Sequence, residues 1–458
     1  MQHKAADAHL QSLVRRYEQL RSRGESIYLD ANDFERLIEH YLLENDNATA
    51  AELIALALSI HPNNEFILLK KAAWLLQCGR PKDALTLVQH LPRNEDSELM
   101  LASVYLALNR RDEALEIFNR YLAQETDELY LYCSDVAEVL MHYDLYDQAK
   151  SFIDNGLADN PKDEELYEQA IELCYLRGDN EASIDYYQHW LDEDPFNVQA
   201  WTRLGSTYLN LNRPQEAANA LEFAAAAADS PDLNICVELG HAYGRLNDYP
   251  KAIECYTQAY ELLQHDNEST PLGLGDLAGC LAECYEYQND FDQALDWYRK
   301  AFDLNPEDDM ACMGIAYCLA QRNEPAQAMS YYEQALQINP TNKDIWVGMA
   351  ELLVNLGQFD AAIVAYKQAL EGVKDPAADE LFALGNLYFQ TGDYTMALEI
   401  FQQMEDSGKD MPNLQLCMAL CYHMLLDTEQ CECYLRRALA KDPQARQLYD
   451  DILKELAS

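Results

Sequence analysis

The thiols are the first groups in this chain whose types and spacing could do chemistry. Cys280 and Cys284 stand four residues apart, as do Cys417 and Cys421, and Cys431 and Cys433 follow closely. On a helix that spacing puts two thiols on one face, and four thiolates can hold a structural zinc ion. The ten histidines show no ligand spacing with one another. Gly273-Leu274-Gly275-Asp276-Leu277-Ala278 fits the G-x-G-x-x-A pattern of a dinucleotide loop. Such a loop needs a strand before it inside a βαβ unit, and Gln264 to Pro271 read as a loop instead. Walker A, H-E-x-x-H and G-x-S-x-G patterns do not occur. The chemistry-bearing residues therefore argue against an enzyme, and against a cofactor or metal.

Composition narrows the class further. The 458 residues carry 33 Lys and Arg against 79 Asp and Glu, a formal charge of −46. Phosphate neutralisation needs clustered cations, so nucleic acid is excluded as a partner, and anionic lipid surfaces are disfavoured. A basic protein partner is favoured. No run of about 18 apolar residues predicts a membrane span. The chain opens on Met1-Gln2-His3-Lys4-Ala5-Ala6 without the apolar stretch of a secretory signal. Thirteen cysteines, an odd number, predict reduced thiols and a cytoplasmic location. The sequons at Asn47 and Asn267 are then chance.

The elements that must position any site repeat with a period near 34 residues. Twelve repeats begin near residues 31, 65, 95, 130, 164, 198, 233, 275, 309, 343, 378 and 412. Each reads as two helices, with apolar residues at i, i+3, i+4 and i+7, as in Leu204, Tyr208 and Leu211. Turn formers such as Gly178-Asp179-Asn180 and Asn212-Arg213-Pro214 separate the halves. Stop signals such as Asn305-Pro306 and Asn339-Pro340 end them. The eighth position is Gly or Ala in ten of twelve repeats, and the twentieth is Ala in ten, with Ser183 and Cys431 in the others. Position 24 is always large, from Ile54 to Leu435, and reads as a knob filling the space those small residues leave. Cys284, Cys318 and Cys421 share the tenth position, which elsewhere holds residues such as Trp74, Leu352 and Leu387. They read as core thiols acting as small hydrophobes rather than as metal ligands. The repeat from Glu65 is four residues short, so its second helix or loop must be trimmed.

The series Trp201, Leu204, Gly205, Tyr208, Ala217 and Ala224 resembles the tetratricopeptide repeat (TPR) family, over roughly residues 31–444. That resemblance implies an all-α, right-handed superhelical solenoid of about twelve helix-turn-helix repeats, with N- and C-terminal capping helices. The corresponding organisation is a capping helix in 1–30, repeats one to seven in 31–274, repeats eight to twelve in 275–444 and a capping helix in 445–458. Leu10, Leu13, Val14, Tyr17 and Leu20 mark the first cap, and Leu448, Ile452, Leu453 and Leu456 the last. The insertion at about 264–273 is a tolerated loop, a partner contact or a joint between two sub-arrays.

The resemblance also implies which positions line a concave groove: 2, 5, 9, 12 and 13 of each first helix. Thirteen of these sixty are acidic and only Arg245 is basic, where 33/458 predicts about four Lys or Arg. The candidate groove residues are Glu138, Glu165, Glu168, Glu172, Tyr175, Glu283, Glu286, Tyr287, Tyr317, Glu351, Phe382 and Asn386. Asn386 matches a position used by TPR domains that grip a terminal carboxylate, but Phe382 stands where such a domain needs Lys. The expected function is a non-catalytic scaffold or adaptor, holding a basic protein or peptide segment with apolar anchors. The alternative is an assembly or substrate-recruiting subunit of a larger enzyme complex. A homo-oligomer is compatible with either.

Overall fold

The computed structural model describes residues 2–23, 27–122, 128–265, 273–409 and 411–441. The chain forms two compact bodies, 1–200 and 201–458. Among the described residues every regular element is a helix. After α1 (Gln2–Ser22) come twelve hairpins. They are α2 (Ala31–Leu43) with α3 (Asn47–Ile60), α4 (Glu65–Gln77) with α5 (Pro81–Val88), α6 (Glu95–Ala107) with α7 (Arg111–Leu122), and α8 (Leu129–His142) with α9 (Tyr146–Asp159). Next are α10 (Glu164–Leu176) with α11 (Asn180–Glu193), α12 (Val198–Asn210) with α13 (Pro214–Ala227), α14 (Leu233–Arg245) with α15 (Tyr249–His265), and α16 (Leu274–Tyr287) with α17 (Phe291–Leu304). The last are α18 (Asp309–Gln321) with α19 (Pro325–Ile338), α20 (Lys343–Asn355) with α21 (Phe359–Leu370), α22 (Ala378–Gln390) with α23 (Tyr394–Asp406), and α24 (Leu414–Met424) with α25 (Thr428–Lys441). First helices start within two residues of the starts read from the sequence. The shortfall after Glu65 falls on α5, which has eight residues.

Local chemistry explains the boundaries. Asp30, Asp46, Asn64, Asp163, Asp290 and Asp393 each accept a hydrogen bond from a first-turn N–H, so part of the acidic surplus is spent on N-caps. Pro81, Pro214 and Pro325 open second helices, where a missing N–H is harmless. Every hairpin turns through a left-handed residue at position 15 of its repeat. That residue is Asn, Gly or Asp in eleven repeats, such as Asn45, Gly79 and Asp144, and Leu426 in the twelfth. The turn then closes through a bond such as Arg213 N–H to the Tyr208 carbonyl at 2.8 Å.

Packing follows the small-and-large code. The residue at position 20 is fully buried in all twelve hairpins, Ser183 and Cys431 included. Position 24 is buried throughout. Leu221, Tyr256 and Phe401 press against Gly205, Gly240 and Gly385 of their own repeats, where any Cβ would come within about 2.5 Å. Tyr298 and Tyr332 also reach forward, under Gly314 and Gly348 of the next repeat. On α1, Leu13 and Tyr17 are buried. The expected C-terminal cap at 445–458 lies outside the described residues. So do residues 266–272 of the insertion.

Candidate functional site

In the second body, position 6 of α16, α18 and α20 lines one cleft together with residues at the wall positions 2, 5, 9 and 12. In the last five repeats position 6 is small: Cys280, Gly314, Gly348, Ala383 and Cys417. In the earlier ones it is larger, as with Arg36, Lys70, Asp135, Gln169 and Glu238. Where the floor is small, a cleft of about 560 Å³ opens in the second body along α16, α18 and α20. Asp276, Glu283, Glu286, Asp308, Asp344 and Glu351 line it, with no Lys or Arg among the lining residues. Tyr287, Met310, Met313, Tyr317 and Val347 supply apolar surface. The rings of Tyr298 and Tyr332 form part of the floor.

Electrostatics in the cleft favour an incoming cation. Desolvation, and then the Asp308 charge, hold Glu283 above the usual carboxylate range. Desolvation also raises Glu286; the Tyr298 hydroxyl, donating to its Oε2 at 2.8 Å, opposes this, and Glu283 adds to it. Glu351 is raised by desolvation. Glu283 and Glu351 are nevertheless exposed and Glu286 is half-buried, so all three can be reached by an incoming positive charge.

Five candidate residues come together here: Glu283, Glu286, Tyr287, Tyr317 and Glu351. Tyr287 is 65% exposed and stacks on Tyr249 at 5.1 Å. Asn386 lines an adjoining hollow of about 370 Å³ that shares Glu351. Phe382 is half-buried, and its ring tilts against Phe401 at 5.7 Å, so it sits at the edge of the core. In the first body, Glu138 on α8 and Glu165 on α10 stand near Asp135. Desolvation, then the charges of Glu138, Glu95, Glu165 and Asp96, push Asp135 up to about 6. Glu168 accepts from Gln199 Nε2 at 2.6 Å. Glu172 is exposed, and so is Tyr175.

Reading only the wall positions missed Asp135, Gly314 and Gly348 at position 6, and the two floor tyrosines at position 24. The run of small residues at position 6 was the available signal.

The other sequence motifs have structural roles. Gly273 caps α16, its N–H donating to Asp276 Oδ2 at 2.7 Å, and no strand occurs among the described residues to complete a dinucleotide fold. Cys284, Cys318 and Cys421 are buried. Among the described residues no group of three or more His, Cys, Asp or Glu could hold a metal ion. No described helix is long and apolar enough to cross a membrane.

Family models of the tetratricopeptide repeat match residues 96–125, 186–218, 231–307, 281–343, 320–385 and 380–413. The chain belongs to the tetratricopeptide repeat family and is an all-α solenoid of that class, a protein-binding scaffold. Among solved structures it is similar to a tetratricopeptide repeat protein from Parabacteroides merdae, at 18% identity over 56% of this chain and 98% of that one, TM-score 0.44. It is also similar to a structure titled as the APC/C hetero-tetramer Cut9-Hcn1, at 15% identity over 94% of this chain and 97% of that one, TM-score 0.41. YrrB, described as a TPR protein with an unusual peptide-binding site, matches at 17% identity over 41% of this chain and 93% of that one, TM-score 0.33. No curated protein sequence matches the chain.

Proposed function

We propose that this chain is a non-catalytic adaptor whose second body holds a Lys- or Arg-bearing segment of a partner protein in the cleft between α16 and α20. One observation carries the reading: six carboxylates and no cation line a single cleft, and three of those carboxylates are held up by desolvation. A bound ammonium or guanidinium pairs with these carboxylates through charge-assisted hydrogen bonds. The apolar patch of Met310, Met313 and Tyr317 takes the segment's apolar side chains. Rigid hairpins keep the ordering cost on the partner's side. Glu138, Glu165, Glu168, Glu172 and Tyr175 are proposed as contacts of the same kind in the first body. The free thiols fit a cytoplasmic, reducing setting.

Calorimetric titration of the whole chain with a lysine-rich peptide tests this. Charges on the cleft surface are screened beyond about 8 Å at physiological salt. Affinity is expected to fall as sodium chloride rises, and to be lost in the combined Glu283→Gln, Glu286→Gln, Glu351→Gln variant. Binding that ignores salt and survives the triple substitution would remove the reading.

A further inference from the structure

We infer that the cleft reads an extended segment in the order basic–apolar–basic, one station per repeat, rather than accepting every polycation alike. This rests on the groove reading above and adds a register to it. Three stations follow one another along the cleft. The first carries Glu283 and Glu286 on α16, the second Met310, Met313 and Tyr317 on α18, and the third Asp344 and Glu351 on α20.

An acidic cluster by itself marks only an acidic surface; Tyr332 supplies the independent observation. It is 1% exposed, lines the cleft, and its hydroxyl has no hydrogen-bond partner among the described residues. Tyr298, one repeat earlier, gives its hydroxyl to Glu286. The ring is buried while the hydroxyl faces the cleft, where water or an occupant can pair with it. Tyr332 Oη reaches the cleft because Gly348 has no side chain, and a Cβ there would lie 2.8 Å from it. The hydroxyl is therefore open to a backbone or side-chain group of an occupant beside the third station.

Spacing sets the register. Packed helices lie about 8–10 Å apart. An extended chain of polyproline-II type rises about 3.1 Å per residue and completes a turn every three, so one repeat matches about three residues and every third side chain returns to the same face. The occupant carries Lys or Arg, an apolar residue three positions on, and a second cation three beyond that. A helical occupant would need about six residues per station at its rise of about 1.5 Å, and would turn the three side chains to different faces.

Fluorescence anisotropy of the full chain with two labelled peptides tests the register. Both use a Gly/Ser background and contain two lysines and one leucine. One has them in the matched spacing, and the other has the lysines adjacent and the leucine at one end. The matched peptide is expected to bind about tenfold more tightly. Tyr332→Phe, which keeps the ring and so the packing, should weaken the matched peptide about threefold to tenfold without lowering the urea midpoint. Equal affinity for both peptides, each lost in Glu283→Gln, Glu351→Gln, would overturn the register and leave the acidic groove standing. Binding of neither peptide would overturn both. An unchanged affinity in Tyr332→Phe would remove the phenol from the site.

Discussion

Gly240 and Tyr256 close on each other so tightly that a Cβ on the glycine would stand 2.4 Å from Cε1 of the ring. The contact joins the two helices of one hairpin, and Gly205 with Leu221 and Gly385 with Phe401 repeat it. Gly240→Ala is therefore expected to destabilise by about 1–3 kcal/mol through overpacking, against a helix-propensity gain of about 1 kcal/mol. Ala328→Leu, at a fully buried position 20, should cost about 1–3 kcal/mol. Tyr332→Ala should cost about 3–5 kcal/mol by opening a cavity. Urea midpoints measure all three, and wild-type midpoints would refute the interlock.

Leu426 offers a change in the other direction. It is the only residue other than Asn, Asp or Gly at the turn position of the twelve hairpins, has φ near 61°, and is 86% exposed. A left-handed conformation costs a branched residue about 1–2 kcal/mol. Leu426→Asn or Leu426→Gly should stabilise by about 1 kcal/mol. A lower midpoint in both variants would show that Leu426 makes a contact worth more than the strain.

Asp135 predicts a pH dependence. Its carboxyl holds its proton up to about pH 6 in the folded chain, higher than an ordinary carboxyl. Between the two values the folded state binds more protons than the unfolded one, so stability falls as pH rises through this window and levels off above about 6. Asp135→Asn removes the penalty. After allowance for solvent screening, it should stabilise by about 1 kcal/mol at pH 7, and not at all near pH 4. Denaturation curves at the two pH values decide it, and an equal effect at both would contradict the charge explanation.

Thiol reactivity should separate the cysteines by place. Burial pushes Cys280 up to about 11 and Cys318 and Cys421 to about 12, whereas Cys78 and Cys433 are exposed. Alkylation near neutral pH, read by peptide mass spectrometry, should label Cys78 and Cys433 first. Early labelling of Cys318 or Cys421 would mean that the hairpins open far more readily than their packing suggests.

The architecture was legible because its determinants are local and repeated twelve times. An alanine or equally small residue every 34 positions, a large one four residues later and a turn former before them leave little choice of fold. The trimmed repeat at Glu65 was legible as a deficit, but only the packed structure places that deficit in α5. The site was half legible. Glu283, Glu286, Tyr287, Tyr317 and Glu351 were found because wall positions recur at fixed offsets. Phe382 satisfies the same offset, yet its ring finds Phe401 and turns toward the core. Tyr298 and Tyr332 were read only as knobs, because a sequence does not show that a glycine one repeat later leaves the tip of a buried ring accessible.

Position 6 forms the floor of the cleft, and at Gly314 and Gly348 it also receives the Tyr298 and Tyr332 rings of the repeat before. It belongs neither to the turn nor to the contacts of positions 8, 20 and 24 within its own hairpin. Glu238, at the same position of α14, accepts from Ser206 Oγ of the repeat before. A point mutation at position 6 thus alters the floor and an inter-repeat contact together, so ligand preference in such an array drifts only in step with its packing.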